Sequence, residues 1–515
     1  MISSRKSIQI CSNFAATPAP ELFCVKPKIN KLLRSGHARN SLWSVVEVVV
    51  YPASLLLATP FFLDQLGESE YGIWILANSI IASIGVLNIG LGDATIKFVS
   101  KYRAQNQPAK IKLVVQTNYT IYLGLALLVI SAGFLVAWLV PLLPWLSEKE
   151  GLTTWVSLLI PIGATTLGFR FLEQIFLSIF RGYERFDRAA RFAIFSKMAV
   201  LMAQVAVVSF GGGLLRIFAA TAIVSFVALL AEAFMIGRIF SFSWLKPGFH
   251  RDTFREVFGF GVWSWVQSVF VLIAAQIDKP LVAYLGGTVT LAYYALGYMV
   301  YTQLHTVLAA GSSWLFPYIS GQLEKNADIR SLYQRARGTL ISVSLGVLLV
   351  LFLLSDWVFT LWLGEPRYAK AAPFLLGFIA YEALIAQTIV PYFFLNGAGK
   401  ARLNAYFEIA IKSLNIISMV LCSYFWGVLG LIYGLMASML LFLPIQTIVV
   451  AKTLFGRPPD WRAFGALLPS AILITVILVE GSALKYLSLL PLAILVKWIY
   501  FQPQRKSTEL ENPKG

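Results

Sequence analysis

LWSVVEVVV, residues 42–50, returns later in the chain as VWSWVQSVF, residues 262–270, with the dipeptide Trp-Ser in both. Each stretch lies in a long apolar run, and each carries one strongly polar side chain inside that run, Glu47 in the first and Gln267 in the second. The ungapped alignment that sets Trp43 on Trp263 also pairs identical residues further along: Pro60 with Pro280, Gly67 with Gly287, and Ser100 with Ser320. The chain therefore contains an internal repeat.

A second block of the repeat follows at a slightly shorter spacing. RGYERFDRAARFAIFSK, residues 181–197, aligns with NGAGKARLNAYFEIAIK, residues 396–412, and this alignment pairs Lys197 with Lys412. Six spans followed by six spans in the same orientation give two lobes related by an axis along the membrane normal, a plan typical of transporters.

Composition places the chain in a membrane. Of its 515 residues, 58% are hydrophobic and 13% are charged, and the mean hydropathy is +0.73, outside the range of soluble domains. A helix needs about 20 mostly apolar residues to span a bilayer. Segments of this kind lie at about 43–63, 71–91, 117–140, 154–179, 193–211, 217–237, 260–277, 290–316, 339–363, 372–395, 405–425, 428–450, 464–480 and 483–501. We predict an all-α polytopic membrane protein of about 14 transmembrane helices, with two six-helix lobes and two additional C-terminal helices.

The distribution of charge predicts the orientation. The formal net charge is +17, and Lys and Arg concentrate in the loops on the side of the N-terminal tail. Because cytoplasmic loops collect Lys and Arg, we expect both termini in the cytoplasm. The basic excess then reflects topology, and we expect no nucleic-acid partner. We expect a cytoplasmic basic tail at 1–39, an N-lobe at 40–240, an interfacial linker helix at 241–259, a C-lobe at 260–456, two additional spans at 457–502 and a cytoplasmic tail at 503–515.

Signatures of catalysis are missing from the sequence. It contains no HExxH or GxSxG motif, and NGAGKAR, residues 396–402, lacks the Gly and Ser or Thr positions of a phosphate-binding loop. Cys11, Cys24 and Cys422 have neither a disulfide-framework nor a metal-ligand spacing. We therefore predict that the chain is not an enzyme and has no metal site and no cofactor.

Charged residues inside spans are the candidate functional residues, because each costs about 2.5 to 3.5 kcal/mol to insert. Arg170 and Glu173 are three positions apart and Glu408 and Lys412 are four apart, so each pair can meet on one helix face. A self-neutralising packing pair and a substrate-facing role fit these spacings equally well.

The positions of the other ionisable residues favour structural roles over substrate binding. Lys197 and Lys412 each lie about 7.5 Å past a matched Phe, a depth from which a Lys stem can snorkel to the interface, which fits them better than anion binding. Lys279 follows Asp278 near an outer helix end, as expected of a boundary pair. His305 in span eight fits a hydrogen-bonded interior residue better than a proton relay.

One segment resembles a known family. LGESEYGIWILANSIIASIGVLNIGLGDATIKFVSKY, residues 66–102, is similar to the second-helix region of the Wzx-like polysaccharide and O-antigen flippases. These belong to the multidrug/oligosaccharidyl-lipid/polysaccharide (MOP) exporter superfamily. The matching positions are Gly67, Glu70, Tyr71, Gly72 and Trp74 at the outer turn, and Gly90 and Ala94 at the inner exit. Asn88 stands where many relatives have Asp, which argues against transferring a carboxylate-coupled ion mechanism to that position.

The resemblance implies a function. It implies that the chain translocates a lipid-linked oligosaccharide of the polyprenyl-diphosphate type across the bacterial cytoplasmic (inner) membrane, by alternating access between the lobes. Membrane lipids, a polysaccharide polymerase and other assembly proteins would be its partners. A diphosphate carries about two negative charges and needs cations at membrane depth, for which Arg170, Lys197 and Lys412 are the first candidates and Lys279 the next.

Three other functions stay open from the residues: a membrane-embedded glycosyltransferase or polymerase, a small-molecule exporter of the same superfamily, and a scaffold for polysaccharide assembly. Outer loops too short to hold a catalytic domain favour transport over the first.

The polar position in the opening stretch is shared by both lobes, Glu47 in one and Gln267 in the other. We expect both to face the space between the lobes near its cytoplasmic end, where Glu47 pairs with a cation or gates the entrance. The expected cavity and gating residues are Glu47, Gln267, Glu173, Glu408, Asn88 and His305.

Overall fold

The computed structural model describes residues 36–85, 91–139, 142, 152–324, 329–459, 464–465 and 467–478. The helices of these ranges are α1 Gly36–Ile84, α2 Leu91–Ala104, α3 Pro108–Leu139, α4 Leu152–Gly182, α5 Phe186–Ser209, α6 Leu214–Phe240, α7 Arg251–Gln276, α8 Asp278–Ser312, α9 Leu315–Glu324, α10 Arg330–Leu353, α11 Ser355–Leu363, α12 Glu365–Ile385, α13 Ile389–Gly397, α14 Ala401–Phe455 and α15 Leu467–Leu478. Short 3-10 turns lie at Phe242–Leu245 and Ala386–Thr388, and the described ranges hold no strand.

Glycine turns make the helical hairpins of the two lobes equivalent. Gly67 in α1 has a φ of 78° and Gly287 in α8 has a φ of 80°, a region that residues with a Cβ rarely adopt. The chain reverses at Gly67, since the rings of Phe62 and Trp74 lie 4.9 Å apart. Helix α14 reverses in the same way at Gly427, where φ is 58°. The predicted repeat thus appears as matched turns, and α1 and α14 each hold two spans.

The helices account for the predicted spans as far as the structure describes them. Seven of the described helical stretches are long and apolar enough to cross a membrane, and two of these are the reversing helices α1 and α14. The spans expected at 339–363 and 372–395 are each built from two helices, α10 with α11 and α12 with α13. The expected span at 483–501 lies outside the described residues, as does most of the expected tail at 1–39, although α1 already begins at Gly36.

In the N-lobe, α3 packs against α4, α4 against α6, and α5 against α1 and α6. Small residues allow this: a Cβ on Gly133 would lie 2.2 Å from the Cβ of Ala164, so α3 and α4 touch at their backbones. In the C-lobe, α12 is the central helix and packs against α8, α14 and α15. The molecule has a near side, where α1 begins, and a far side, where the chain turns at Gly67 and Gly287.

The expected linker helix at 241–259 has another form. The segment begins with the 3-10 turn Phe242–Leu245, and its second part is the start of α7, which runs on to Gln276. Hydrogen bonds fasten this segment to α3: Gln116 Nε2 donates to the Ser243 carbonyl at 2.9 Å, and the Gly248 amide donates to Thr120 Oγ1 at 2.8 Å. The linker is therefore docked on the N-lobe.

Candidate functional site

The N-lobe holds a cluster of charges between α4, α5 and α6. Glu173 of α4 is buried, the hydroxyl of Ser196 lies next to its carboxylate, and Arg170 and Lys197 act on it electrostatically. The structure therefore adds Lys197 of α5 to Arg170 and Glu173 of α4, the two residues that their spacing had already suggested as a pair. We call Arg170, Glu173, Lys197 and Glu232 the N-lobe cluster.

Glu232, on α6, is the member that sequence reasoning missed. Only 1% of this residue is exposed, and both carboxylate oxygens lack a hydrogen-bond partner within the described part of the chain. It lies close enough to Glu173 for the two carboxylates to interact electrostatically. A carboxylate inside a predicted span was the available signal, and the rule that such residues are functional candidates applied to it as well.

The C-lobe holds a cavity at the corresponding depth, with an empty volume of about 720 Å³. Its walls are α8, the junction of α12 and α13, and both arms of α14. The polar and charged side chains that line it are His305, Thr388, Asn404, Glu408, Lys412 and Gln446. We call this space the C-lobe cavity. It contains three of the residues expected from the sequence, His305, Glu408 and Lys412.

A buried carboxylate lies behind the cavity wall. Glu382 of α12 is 0% exposed, and its Oε1 lies 3.2 Å from His305 Nδ1. The Glu382 Oε2 atom has no hydrogen-bond partner among the described residues. The imidazole is thus hydrogen-bonded on one side and faces the cavity on the other. Sequence reasoning missed Glu382, although it too is a charged residue inside a predicted span.

Glu47 forms an ion pair within its own lobe. Arg181 Nη2, at the end of α4, donates to Glu47 Oε1 at 2.8 Å and to Oε2 at 3.1 Å. Nearby, the guanidinium of Arg191 lies 4.8 Å from the ring centroid of Trp43. The opening stretch of the repeat is therefore bound to α4 and α5. Asn88 and the side chain of Gln267 lie outside the described residues.

The ammonium group of Lys279 contacts a carboxylate, a backbone carbonyl and an aromatic ring. Its Nζ lies 3.1 Å from Asp278 Oδ1, donates to the Ala275 carbonyl at 2.7 Å, and lies 4.1 Å from the centroid of the Tyr298 ring. The Asp278 carboxylate also accepts from Tyr294 Oη at 2.9 Å. The pair expected at a membrane boundary does form, but both residues are buried, because Tyr294 and Tyr298 cover them after the chain reverses at the far side.

Ion pairs join the two lobes on the far side. Arg367 of α12 pairs with Asp64 of α1, and Lys370 Nζ lies 3.0 Å from Glu68 Oε2. Ser69 Oγ and Thr288 Oγ1 are 3.2 Å apart beside them. Trp362 Nε1 of α11 donates to the Leu56 carbonyl of α1 at 3.1 Å. We call the ion pairs Asp64–Arg367 and Glu68–Lys370 the far-side latch.

On the near side, the linker is tied to the N-lobe by one carboxylate. Glu256, in the first turns of α7, accepts hydrogen bonds from Lys101 Nζ at 2.8 Å and from Tyr102 Oη at 2.6 Å. The hydrogen bond from Lys101, followed by that from Tyr102, lowers the pKa of the Glu256 carboxyl. The carboxylate is thus bound in its charged form. We call Lys101, Tyr102 and Glu256 the near-side tether.

Comparison with known proteins assigns the family. The family model described as "Polysaccharide biosynthesis protein" matches residues 38–322, more than half of the 515 residues. A Shigella flexneri protein named "Putative O-antigen transporter" is 20% identical over 378 residues, which cover 72% of this chain and 87% of that protein. A structure of the lipid II flippase MurJ, in an inward closed conformation, matches with a TM-score of 0.63 and 13% identity over 89% of this chain and 98% of that one. An inward-facing multidrug resistance MATE family transporter of the MOP superfamily matches with a TM-score of 0.59 and 13% identity over 84% of this chain and 100% of that one. The chain therefore belongs to the polysaccharide biosynthesis protein family and is a multi-pass membrane protein with the two-lobe fold of MOP-superfamily transporters.

Proposed function

We propose that this chain is a flippase that carries a lipid-linked oligosaccharide of the polyprenyl-diphosphate type across a bacterial cytoplasmic membrane for surface polysaccharide biosynthesis. Membership of a polysaccharide biosynthesis family supports the class of cargo. Polar and charged groups inside each lobe support transport, because such groups at membrane depth usually face a water-filled cavity or a partner. Both features favour a transporter over an enzyme.

The observation that carries the proposal is the far-side latch. It joins the lobes through ion pairs that can separate into water, while the N-lobe cluster and the C-lobe cavity both lie in the near half of their lobes. With both termini in the cytoplasm, the near side is cytoplasmic and the latch closes the outer side. The glycan would enter from the cytoplasm, and breaking the latch would let the lobes rock outward.

We assign the diphosphate to the N-lobe cluster. Arg170 and Lys197 supply two cations from neighbouring helices, and a guanidinium can bind phosphate oxygens in a bidentate way. Lys279 is a structural residue in this scheme, since Asp278 and the Ala275 carbonyl already satisfy it. Glu47 positions Arg181 at the cytoplasmic end of α4. The polyprenyl chain stays in lipid, and the glycan passes on to assembly proteins such as a polysaccharide polymerase.

Deletion of the gene tests the cargo. Cells without the chain are expected to accumulate lipid-linked glycan on the cytoplasmic leaflet, and expression of the wild-type chain should clear it. Accessibility of the glycan to an added glycosidase, before and after permeabilisation, measures the leaflet. Glycan that reaches the outer leaflet at the wild-type rate in deleted cells would contradict the proposal.

A cross-link tests alternating access. Ser69→Cys with Thr288→Cys, in a chain whose three native cysteines are replaced by Ser, can form a disulfide across the far-side latch, because the two hydroxyl oxygens are 3.2 Å apart. Oxidation is expected to stop flipping and reduction to restore it. Either single variant is the matched control. Undiminished flipping by the oxidised double variant would rule out opening of the lobes at this end.

A further inference from the structure

The C-lobe cavity has a composition that does not suit a diphosphate. A carboxylate accompanies each of its two basic side chains: Glu408 lies one helical turn from Lys412 on α14, and Glu382 bonds to His305 from behind the wall. The basic groups therefore have counter-charges nearby. The N-lobe cluster also holds carboxylates, but it contains Arg170, whose guanidinium can bind phosphate oxygens in a bidentate way, and the described residues that line the C-lobe cavity include no Arg. A ligand without net charge is the better match for this cavity.

Two amide side chains line the cavity and can bind a neutral polar ligand. Gln446 is 4% exposed, and its side chain lines the cavity. Asn404 Nδ2 donates to the Tyr392 carbonyl at 3.0 Å, which fixes the amide and leaves its oxygen as an acceptor. A side-chain amide carries two donors and an acceptor, so Gln446 and Asn404 can hydrogen-bond to a polar ligand in the cavity.

Aromatic rings supply the other half of the wall. Tyr392, Phe393, Phe407 and Phe442 line the cavity beside the amides, and Phe407 and Phe442 meet edge to face with centroids 5.6 Å apart. A pyranose ring offers hydroxyl groups that both donate and accept, and an apolar face of C–H groups. Amides and a carboxylate match the hydroxyls, and aromatic rings match the apolar face.

The repeat shows that two of these polar groups, Asn404 and Glu408, are particular to the C-lobe. In the alignment that pairs Lys197 with Lys412, Asn404 corresponds to Ala189 and Glu408 corresponds to Ala193. Helix α5 thus carries alanine at the two positions where α14 carries hydrogen-bonding groups. Since Ala189 and Ala193 are buried in a well-packed helix, packing of the fold does not require polarity there.

We propose that the C-lobe cavity binds an uncharged sugar ring of the transported glycan, with Asn404, Glu408 and Gln446 as its hydrogen-bonding groups. The inference rests on the proposed function and deepens it: the N-lobe holds the diphosphate and the C-lobe reads a sugar. Lys412 balances the charge of the Glu408 carboxylate and donates to a hydroxyl.

Saturation-transfer NMR on the full-length protein in nanodiscs tests the site directly. The probes are N-acetylglucosamine and glucose, with inorganic pyrophosphate as the competitor. In the wild-type protein we expect saturation to reach the sugar ring protons and pyrophosphate to leave that signal unchanged. Glu408→Ala and Gln446→Ala should each reduce the signal about fivefold, the size expected for one hydrogen bond. Lys197→Ala, a change in the N-lobe at the position equivalent to Lys412, should leave the sugar signal unchanged.

Several results would overturn the sugar site. They are displacement of the sugars by pyrophosphate, absence of saturation transfer to both sugars, and an undiminished signal in both Glu408→Ala and Gln446→Ala. Glu408→Gln, which keeps size and hydrogen-bonding capacity, guards against misfolding and should retain most of the signal. If cells without the chain flip glycan normally while the sugars still bind here, the proposed function fails and the sugar site stands. If deletion blocks flipping and the variants bind sugar as the wild type does, the proposed function stands and the sugar site fails.

Discussion

Lys197 and Lys412 occupy equivalent positions of the two lobes but have different neighbours. Lys197 acts on the buried carboxylate of Glu173. In the alignment that pairs the two lysines, Glu173 corresponds to Thr388, which lines the C-lobe cavity together with Lys412. The same helix path thus supports a charged cluster in one lobe and a hollow in the other. A repeat fixes where helices run, and single side chains decide what the space between them can bind.

Removal of the N-lobe carboxylate should have the largest effect. Glu173→Ala leaves Arg170 and Lys197 without this counter-charge, and breaking a buried charge pair costs about 3 to 5 kcal/mol. Denaturant unfolding in detergent measures the change in the free energy of unfolding. Thr388→Ala, the matched C-lobe change, removes one hydroxyl that donates to the Ile385 carbonyl and should cost about 1 kcal/mol. Equal losses in the two lobes would contradict the difference drawn between them.

Equal effects are expected where the lobes are the same. Gly67→Ala and Gly287→Ala both place a Cβ at a φ near 80°, in a region that is essentially restricted to glycine, and each should cost about 1 to 3 kcal/mol. No atom lies within 4 Å of a Cβ built on Gly67, so the cost there is conformational. Unfolding measurements that separate the two variants by more than their error would show that the hairpins are not equivalent.

A helical glycine provides the control for this pair. Gly124 in α3 also has open space around its missing Cβ, and Gly124→Ala should be neutral or stabilise the protein by about 1 kcal/mol. Destabilisation by this change would mean that added side-chain bulk, and not positive φ, explains the losses at the two turns.

The smallest effect is expected at the near-side tether, which holds the linker on the N-lobe. Because the pKa of Glu256 is lowered in the folded protein, its contribution to docking is complete above the ordinary Glu pKa of about 4.3 and is lost as pH falls through the lowered pKa. Hydrogen exchange of the linker amides, corrected for intrinsic rates, should rise over that range. Glu256→Gln should remove the pH dependence. A linker whose protection is unchanged by acid in the wild type would show that the tether does not hold it.

Local sequence pattern predicted much of the fold. The alignment of Trp43 with Trp263 located Gly67 and Gly287 as equivalent turns, because a turn with positive φ needs glycine in both lobes. Apolar runs located the helices, because an apolar segment lies in lipid. There every backbone group must bond within its own segment, and a helix satisfies this requirement. The pairing of Lys197 with Lys412 likewise came from alignment alone.

Contacts between distant parts of the chain could not be read in this way. Arg367 and Asp64 belong to different lobes, and nothing near either residue in the sequence indicates the other. The partners of Lys279 became evident only when Tyr294 and Tyr298 folded back over it. Glu382 and Glu232 could have been proposed, since both are charged residues in apolar runs, but only the structure shows that one faces an imidazole and the other faces Glu173.

Trp362 gives the molecule a built-in optical probe. Its indole N–H bonds to the Leu56 carbonyl of the other lobe, so separation of the lobes on the far side would exchange that carbonyl for water. Emission from an indole shifts to longer wavelength when water surrounds it. In a variant that keeps Trp362 and replaces the remaining members of the 14 tryptophans by Phe, the emission wavelength of this single indole would follow each cycle of opening without any attached label.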